Sequence, residues 1–211
     1  MTFADAFAHS CNCAYAQMAL ELGGSTIESY ASKAGLLTTQ KISGINTTPG
    51  SYDIGKDADL GWSGAGQYHN MVNPSAMMTL MGSIATDGKA AMPHLIHKEQ
   101  TAASLPLPSE NTTTAHLGWS AETCQTLRQI MSHAVDETYG RDNFGGLPLC
   151  AKSGTAEVSD GSTPHAWFVG FLDDPAHPYA FVVLVENGGG GADVAGPIAS
   201  KILQQAVDNN L

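Results

Sequence analysis

At 211 residues, with 43% hydrophobic and 14% charged side chains, the chain is long enough for one sizeable core and too short for two, so a single domain over residues 1–211 is expected. A formal net charge of −11, with nine Lys and Arg scattered and no basic run, repels phosphate backbones and anionic lipid headgroups and argues against a nucleic-acid partner. The longest unbroken apolar run, Tyr179–Val185, is far below the roughly 20 residues of a membrane helix, so no membrane segment is expected in this stretch.

In chain order, Tyr15, Met18, Ala19 and Leu22 recur at helical spacing before Gly23-Gly24, which puts Ser10-Cys11-Asn12 in the turn entering a helix. Ser25-Thr26-Ile27-Glu28 reads as a capping box opening a second helix that ends at Gly35. Leu36 to Met71 shows little periodicity and much Gly, Ser, Thr and Asp, the pattern of a long loop walling a cleft. Asn73-Pro74 starts a buried, Met-rich helix that stops at Gly88, and Ser120 caps another that ends near Gly140. Between them only a short strand around His94–His97 is expected. The last third changes character: Leu149–Val158, His165–Leu172 and Tyr179–Glu186 are β-branched and aromatic runs separated by turn residues, a three-stranded antiparallel meander. Pro197 begins a closing helix. Helices followed by a meander and a terminal helix predict an α+β fold, helices packed on an antiparallel sheet.

Two short motifs suit acyl transfer, which needs an activated hydroxyl, a proton carrier, an oxyanion site and an anchor for a substrate carboxylate. Lys152, at the start of Lys152-Ser153-Gly154-Thr155, offers a compact positive charge able to hold a neighbouring hydroxyl as a proton relay. Gly154 leaves the strand edge open to a substrate backbone, and Thr155, on the same face as Ser153, can donate to a carboxylate. Ser10 offers a second relay hydroxyl across a cleft, and Asn12 an amide for a substrate carbonyl or a catalytic lysine. No serine in the chain has a lysine three positions later.

The ordered set resembles the penicillin-binding protein transpeptidase domain, a relative of the serine β-lactamases, in which a Ser-x-x-Lys turn, a Ser-x-Asn loop and a Lys-Thr/Ser-Gly strand converge. Phe3–Leu22, Gly64-Ala65-Gly66-Gln67 with Asn73–Pro93, Lys152–Glu157 and the final strands are all similar to that family; Leu36–Asp59 and His94–Ser120 are least so. The resemblance implies second-motif roles for Ser10 and Asn12, third-motif roles for Lys152, Ser153 and Thr155, and an oxyanion-donor role for the Ala156 backbone N–H. Gly154 and Ala156 are expected with Ser153 and Thr155 along a substrate-binding edge. It further implies D,D-transpeptidation of D-alanyl-D-alanine stem peptides in peptidoglycan, trapping by β-lactams, and residence on the outer face of a bacterial cell membrane, with any anchor or signal before Met1. The nucleophile has no match, so the chain is expected to be the distal, N-terminally truncated part of such a domain, not acylated alone. Loss of neighbouring strands would leave Tyr179–Glu186 as an open edge and favour a homodimer.

Other readings are weaker. A catalytically dead module with a structural or partner-binding role, and a β-lactamase or sensor relative, share the motif layout. Cys11, Cys13, Cys124 and Cys150 fit no zinc spacing and read as small buried thiols. His94 and His97 lack a flanking carboxylate, so no metal is expected, and no glycine run has cofactor spacing, so no cofactor is expected. Gly61-Trp62-Ser63-Gly64-Ala65 departs from a hydrolase nucleophile elbow at its last residue and reads as a loop turn.

Overall fold

The computed structural model describes residues 1–55, 58–67, 69–95 and 114–210. Helix α1 (Phe3–Ala8) opens with a reciprocal cap: Asp5 N–H donates to the Thr2 hydroxyl at 3.1 Å and Thr2 N–H donates to the Asp5 carboxylate at 3.0 Å. Helix α2 (Asn12–Leu22) begins inside the Ser10-Cys11-Asn12 motif, as its spacing predicts. Helix α3 (Gly24–Lys33) corrects the expected capping box. It starts at Gly24, packed against Ile54, so Ser25 lies inside its first turn and its hydroxyl makes no cap.

The segment 36–71 is more ordered than its composition suggested. It holds a two-residue hairpin, β1 (Lys41–Ile42) with β2 (Ile45–Asn46), and helix α4 (Ala58–Gly64) packed on α2. Gly61-Trp62-Ser63-Gly64 is therefore helix and not the loop turn expected. Helix α5 (Pro74–Ala85) starts as predicted: the Asn73 carboxamide oxygen accepts from Ser75 N–H at 2.9 Å, with Pro74 at the first helical position. The strand expected around His94–His97 lies partly outside the described residues, and His94 and Leu95 are not strand. The pairing here is β3 (Lys89–Ala91) with β4 (Thr114–His116).

Helix α6 (Ala121–Ala134) is capped by Ser120, whose hydroxyl accepts from Thr123 N–H at 3.1 Å. It widens into a π-helical turn, Val135–Tyr139, then a 3-10 turn, Arg141–Phe144. Strands β5 (Leu149–Ala156), β6 (His165–Leu172) and β7 (Ala180–Val185) form the predicted antiparallel meander in the order β5-β6-β7. Helix α7 (Gly196–Asp208) closes the chain after a second π-helical turn, Gly191–Ala195.

Alternation along the strands gives the sheet two apolar faces, and each is covered. On one, Phe168 stacks on Phe144 at 5.5 Å between ring centroids and meets Tyr139 edge-on at 5.2 Å, with Ala199 and Leu203 of α7 alongside. On the other, Cys150 and Phe171 pack with Met81, Ile84 and Met131 of α5 and α6. Of the four thiols expected to be buried, Cys124 and Cys150 are; Cys11 is half-buried and Cys13 exposed, because both sit at the solvent-facing start of α2. Burial pushes the Cys150 thiol up to about 12. Among the described residues no helix is long and apolar enough to cross a membrane.

Candidate active site

Strand β5 and the α1–α2 turn form the two walls of a cleft of about 480 Å³ lined by Ser10, Asn12, Tyr15, Gln67, Lys152 and Thr155, among others. The Lys152 ammonium joins the walls by donating to the Ser10 hydroxyl. It also donates to its neighbour's carbonyl, Ser153 O, at 3.0 Å, lies 3.4 Å from the Tyr139 hydroxyl, and sits 5.8 Å from the centroid of the Phe7 ring. Ser10 adopts a left-handed backbone, φ 50°, which costs a non-glycine residue about 1–3 kcal/mol and is held only where its surroundings fix it. Here Cys11 N–H donates to Ala6 C=O at 2.9 Å and Ser10 N–H to Phe7 C=O at 3.2 Å, so the end of α1 turns Ser10 toward Lys152.

The π-helical turn braces both walls. Thr138 donates its hydroxyl to Ala8 C=O at 3.0 Å, just ahead of Ser10. The adjacent Tyr139 hydroxyl accepts from Ser153 N–H at 2.9 Å and donates to the Ser153 hydroxyl at 3.0 Å. One widened turn therefore sets the spacing between the Ser10 side and the Lys152 side, a placement in keeping with the concentration of π-bulges at functional sites.

Beyond Ser153 the free edge of β5 meets Gln67. Its carboxamide donates to Thr155 C=O at 2.9 Å and accepts from Glu157 N–H at 3.3 Å. Since one residue's N–H and C=O point to the same side of a strand, these bonds put the polar groups of Ser153, Thr155 and Glu157 on the cleft side and those of Ala156 toward β6. The sequence assignment of Ala156 N–H as a cleft donor is thereby corrected by one residue: the amide available there is that of Thr155. The Thr155 hydroxyl accepts from Gly191 N–H at 3.2 Å, leaving its own proton for a ligand. Gly154 packs against Trp167 of β6, where an added Cβ would stand 3.3 Å from the Trp167 Cβ. Asn12 is exposed on the cleft wall, and Tyr15, three residues along α2, carries a buried hydroxyl without a hydrogen-bond partner among the described residues; burial pushes that phenol up to about 12.

A lysine held against a serine hydroxyl at the edge of a strand is an arrangement suited to the proton-relay half of a serine acyl-transfer site. The family model for the penicillin binding protein transpeptidase domain matches residues 1–204. The chain belongs to the penicillin-binding protein transpeptidase family. Among curated proteins it is 28% identical over 217 residues to the peptidoglycan D,D-transpeptidase PbpA of Mycolicibacterium smegmatis, covering 96% of this chain and 43% of the relative. It thus spans less than half the length of the curated transpeptidases it matches. Penicillin-binding protein A from Mycobacterium tuberculosis superposes with a TM-score of 0.90 at 24% identity, covering 98% of this chain and 51% of that one. The penicillin G acyl-enzyme complex of the same M. tuberculosis protein superposes at 0.86 and 24% identity, covering 98% and 48%. At these identities the superpositions establish the shared transpeptidase fold.

Of the residues singled out in the sequence, the structure brings Ser10, Asn12, Lys152, Ser153, Gly154 and Thr155 to one cleft and turns the Ala156 amide away from it. Sequence reasoning missed Thr138 and Tyr139, which precede a recognised helix stop at Gly140 but carry no motif of their own. It also gave Gln67 no role beyond membership of the Gly-Gln segment.

Proposed function

We propose that the chain is the distal part of a D,D-transpeptidase domain that cross-links peptidoglycan, and that it is not acylated by itself. The contact between Lys152 and Ser10 carries this reading, because it provides the relay needed to return a proton to the leaving amine. In the proposed step, a serine supplied by polypeptide outside these 211 residues attacks the carbonyl between two D-alanines. The serine's proton passes through the Lys152–Ser10 relay to the departing nitrogen as the C–N bond breaks. Thr155 N–H faces the developing oxyanion, the Thr155 hydroxyl anchors the substrate carboxylate, and the Asn12 carboxamide holds the substrate amide. The substrate lies beside Ser153, Gly154 and Thr155 at the cleft edge of β5. The description of the PbpA relatives as peptidoglycan D,D-transpeptidases and the penicillin G adduct of the M. tuberculosis protein support the substrate class and the trapping by β-lactams. By the same reading the domain works on the outer face of the bacterial cell membrane, and the open edge of β7 pairs two copies of this chain.

The absence of any Ser-x-x-Lys makes inactivity of the isolated chain the testable part, since removing the nucleophile from such a unit leaves only binding and electrostatic stabilisation. Intact-mass spectrometry after incubation with penicillin G is expected to return the unmodified mass. An adduct of one penicilloyl group on any serine of the chain would overturn the proposal.

A further inference from the structure

Helix α1 meets the Lys152 ammonium twice: the Phe7 ring centroid lies 5.8 Å from it, and the turn after Ala8 presents Ser10 to it. Where α1 sits therefore decides whether the two hydroxyl and ammonium groups meet. Ala6 and Ala8 are buried where α1 meets α6, and Phe7 packs on the cluster around Met131. Polar contacts fix the first turn and the end of the helix. His133, in the last turn of α6, places Nε2 3.4 Å from the Asp5 carboxylate of α1. His9, the residue that ends α1, places Nε2 3.7 Å from the Glu137 carboxylate of the π-helical turn. The His133 Nε2 is shielded from solvent and makes no aligned hydrogen bond among the described residues, so its tie to Asp5 is one of charge.

We propose that His133 and His9 are positioning residues for the relay: protonated, they clamp α1 to α6 and the π-helical turn and so hold Ser10 at Lys152, and deprotonated they release it. Histidine's ordinary pKa, about 6.5, puts its change of charge between pH 5 and 8. The clamp is closed below that range and opens as pH rises through it. At the acid end it lasts until the carboxylates protonate, and the Thr2 N–H and hydroxyl, with a smaller part from His133, hold the Asp5 carboxyl below its ordinary 3.8. The other charges near these rings do not tie α1. Asp136 faces His133 from the same stretch of chain and is held by Arg141, while Arg128 and Asp173 line the same surface depression. Both pairs are half-exposed, so the effect is modest, about two- to fivefold in the opening of the α1 end. The proposal rests on the reading of Lys152 and Ser10 as the proton relay, and its test needs no substrate, so the two can fail separately.

NMR on the full 211-residue chain between about pH 5.5 and 8 tests it. The readout is protection at Cys11 N–H, which donates to Ala6 C=O, taken as exchange relative to an unstructured peptide at the same pH. In wild type it is expected to fall about two- to fivefold as the His9 and His133 ring signals titrate. The Lys152 Cε shift is expected to move with the same midpoint, and β6 amides to stay unchanged. The double variant His9→Gln, His133→Gln is expected to give a flat profile. Asp5→Asn with Glu137→Gln leaves both rings free to titrate but removes the carboxylates they reach, and a flat profile is expected again; this separates a clamp from the mere presence of charge. Wild-type protection at Cys11 that does not change with pH, or a change that survives in either double variant, would overturn the clamp. A fall at Cys11 with the Lys152 Cε shift unmoved would overturn its reach to the relay.

Discussion

Tyr139 shows how much of the site rests on one hydroxyl. Its ring belongs to the core, edge-on to Phe168, while its oxygen takes the Ser153 N–H and gives its proton to the Ser153 hydroxyl. Tyr139→Phe keeps the ring packing and removes both bonds, leaving a strand N–H without an acceptor. A partly buried group stripped of its partner costs about 1–3 kcal/mol, so a loss of that size is expected in urea unfolding. Thr138→Val cuts only the tie to Ala8 C=O and is expected to cost about 1 kcal/mol, a carbonyl being easier to satisfy with water. A Tyr139→Phe change below about 0.5 kcal/mol would mean that water replaces the phenol and that the turn does not brace β5.

At the scale of elements, Arg141 ties three pieces together in the turn after α6. It donates to Ser132 C=O and the Ser132 hydroxyl at 3.3 and 2.9 Å, to Leu147 and Leu149 carbonyls at 3.0 and 3.3 Å, and to the Asp136 carboxylate at 2.6 Å. Arg141→Ala is expected to cost about 3 kcal/mol, because the carbonyls at the start of β5 lose a charged donor; Arg141→Lys, lacking the planar fork, is expected to recover less than half. Asp136→Asn should change stability by less than about 1 kcal/mol, since that carboxylate is exposed to solvent. The hydrogen bond from Arg141 holds the Asp136 carboxyl below its ordinary 3.8, so its small contribution is present above that pH and lost as pH falls through the lower folded value. Urea unfolding of the three variants, with Asp136→Asn compared to wild type at neutral pH and near pH 3, checks both the size and the sign. None of this staple was legible beforehand, because its acceptors are backbone carbonyls that any sequence supplies. The elements it joins were legible: alternation found β5 to β7, and Asn73-Pro74 and Ser120 marked true helix starts, since each rests on a local rule. The capping box failed at Ser25, where packing against Ile54 set the start of α3, while the one that formed, Thr2 to Asp5, was written in the sequence and passed over. Helix α4 was hidden by two glycines and a serine, and its order comes from packing on α2, a tertiary fact with no local signature. For the same reason the motifs predicted which residues meet in the cleft but misassigned the Ala156 amide, whose direction depends on strand phase.

For the whole molecule the two edges of the sheet differ. The β5 edge is occupied by Tyr139, Lys152 and Gln67, whereas β7 pairs with β6 alone among the described strands, and its six residues, Ala180–Val185, are all apolar and all half-buried. Monomeric proteins usually protect such an edge with a charge, a proline or a bulge, and β7 has none within its span. A second copy offering the same edge would satisfy both by antiparallel pairing about a two-fold axis. The net charge of −11 opposes that approach, and salt screens it over about 10 Å at 0.1 M ionic strength, so association is expected to strengthen as salt rises. Light scattering of the 22.0 kDa chain is therefore expected to give a mass near that of a dimer at micromolar concentration in moderate salt, and a lower mass at low salt. Leu184→Lys puts a charge on the edge at a position outside both core clusters and is expected to return the protein to monomer with its fold intact by circular dichroism. A compact monomer at every salt concentration, or a Leu184→Lys variant that still dimerises, would rule out the β7 edge as the contact between copies.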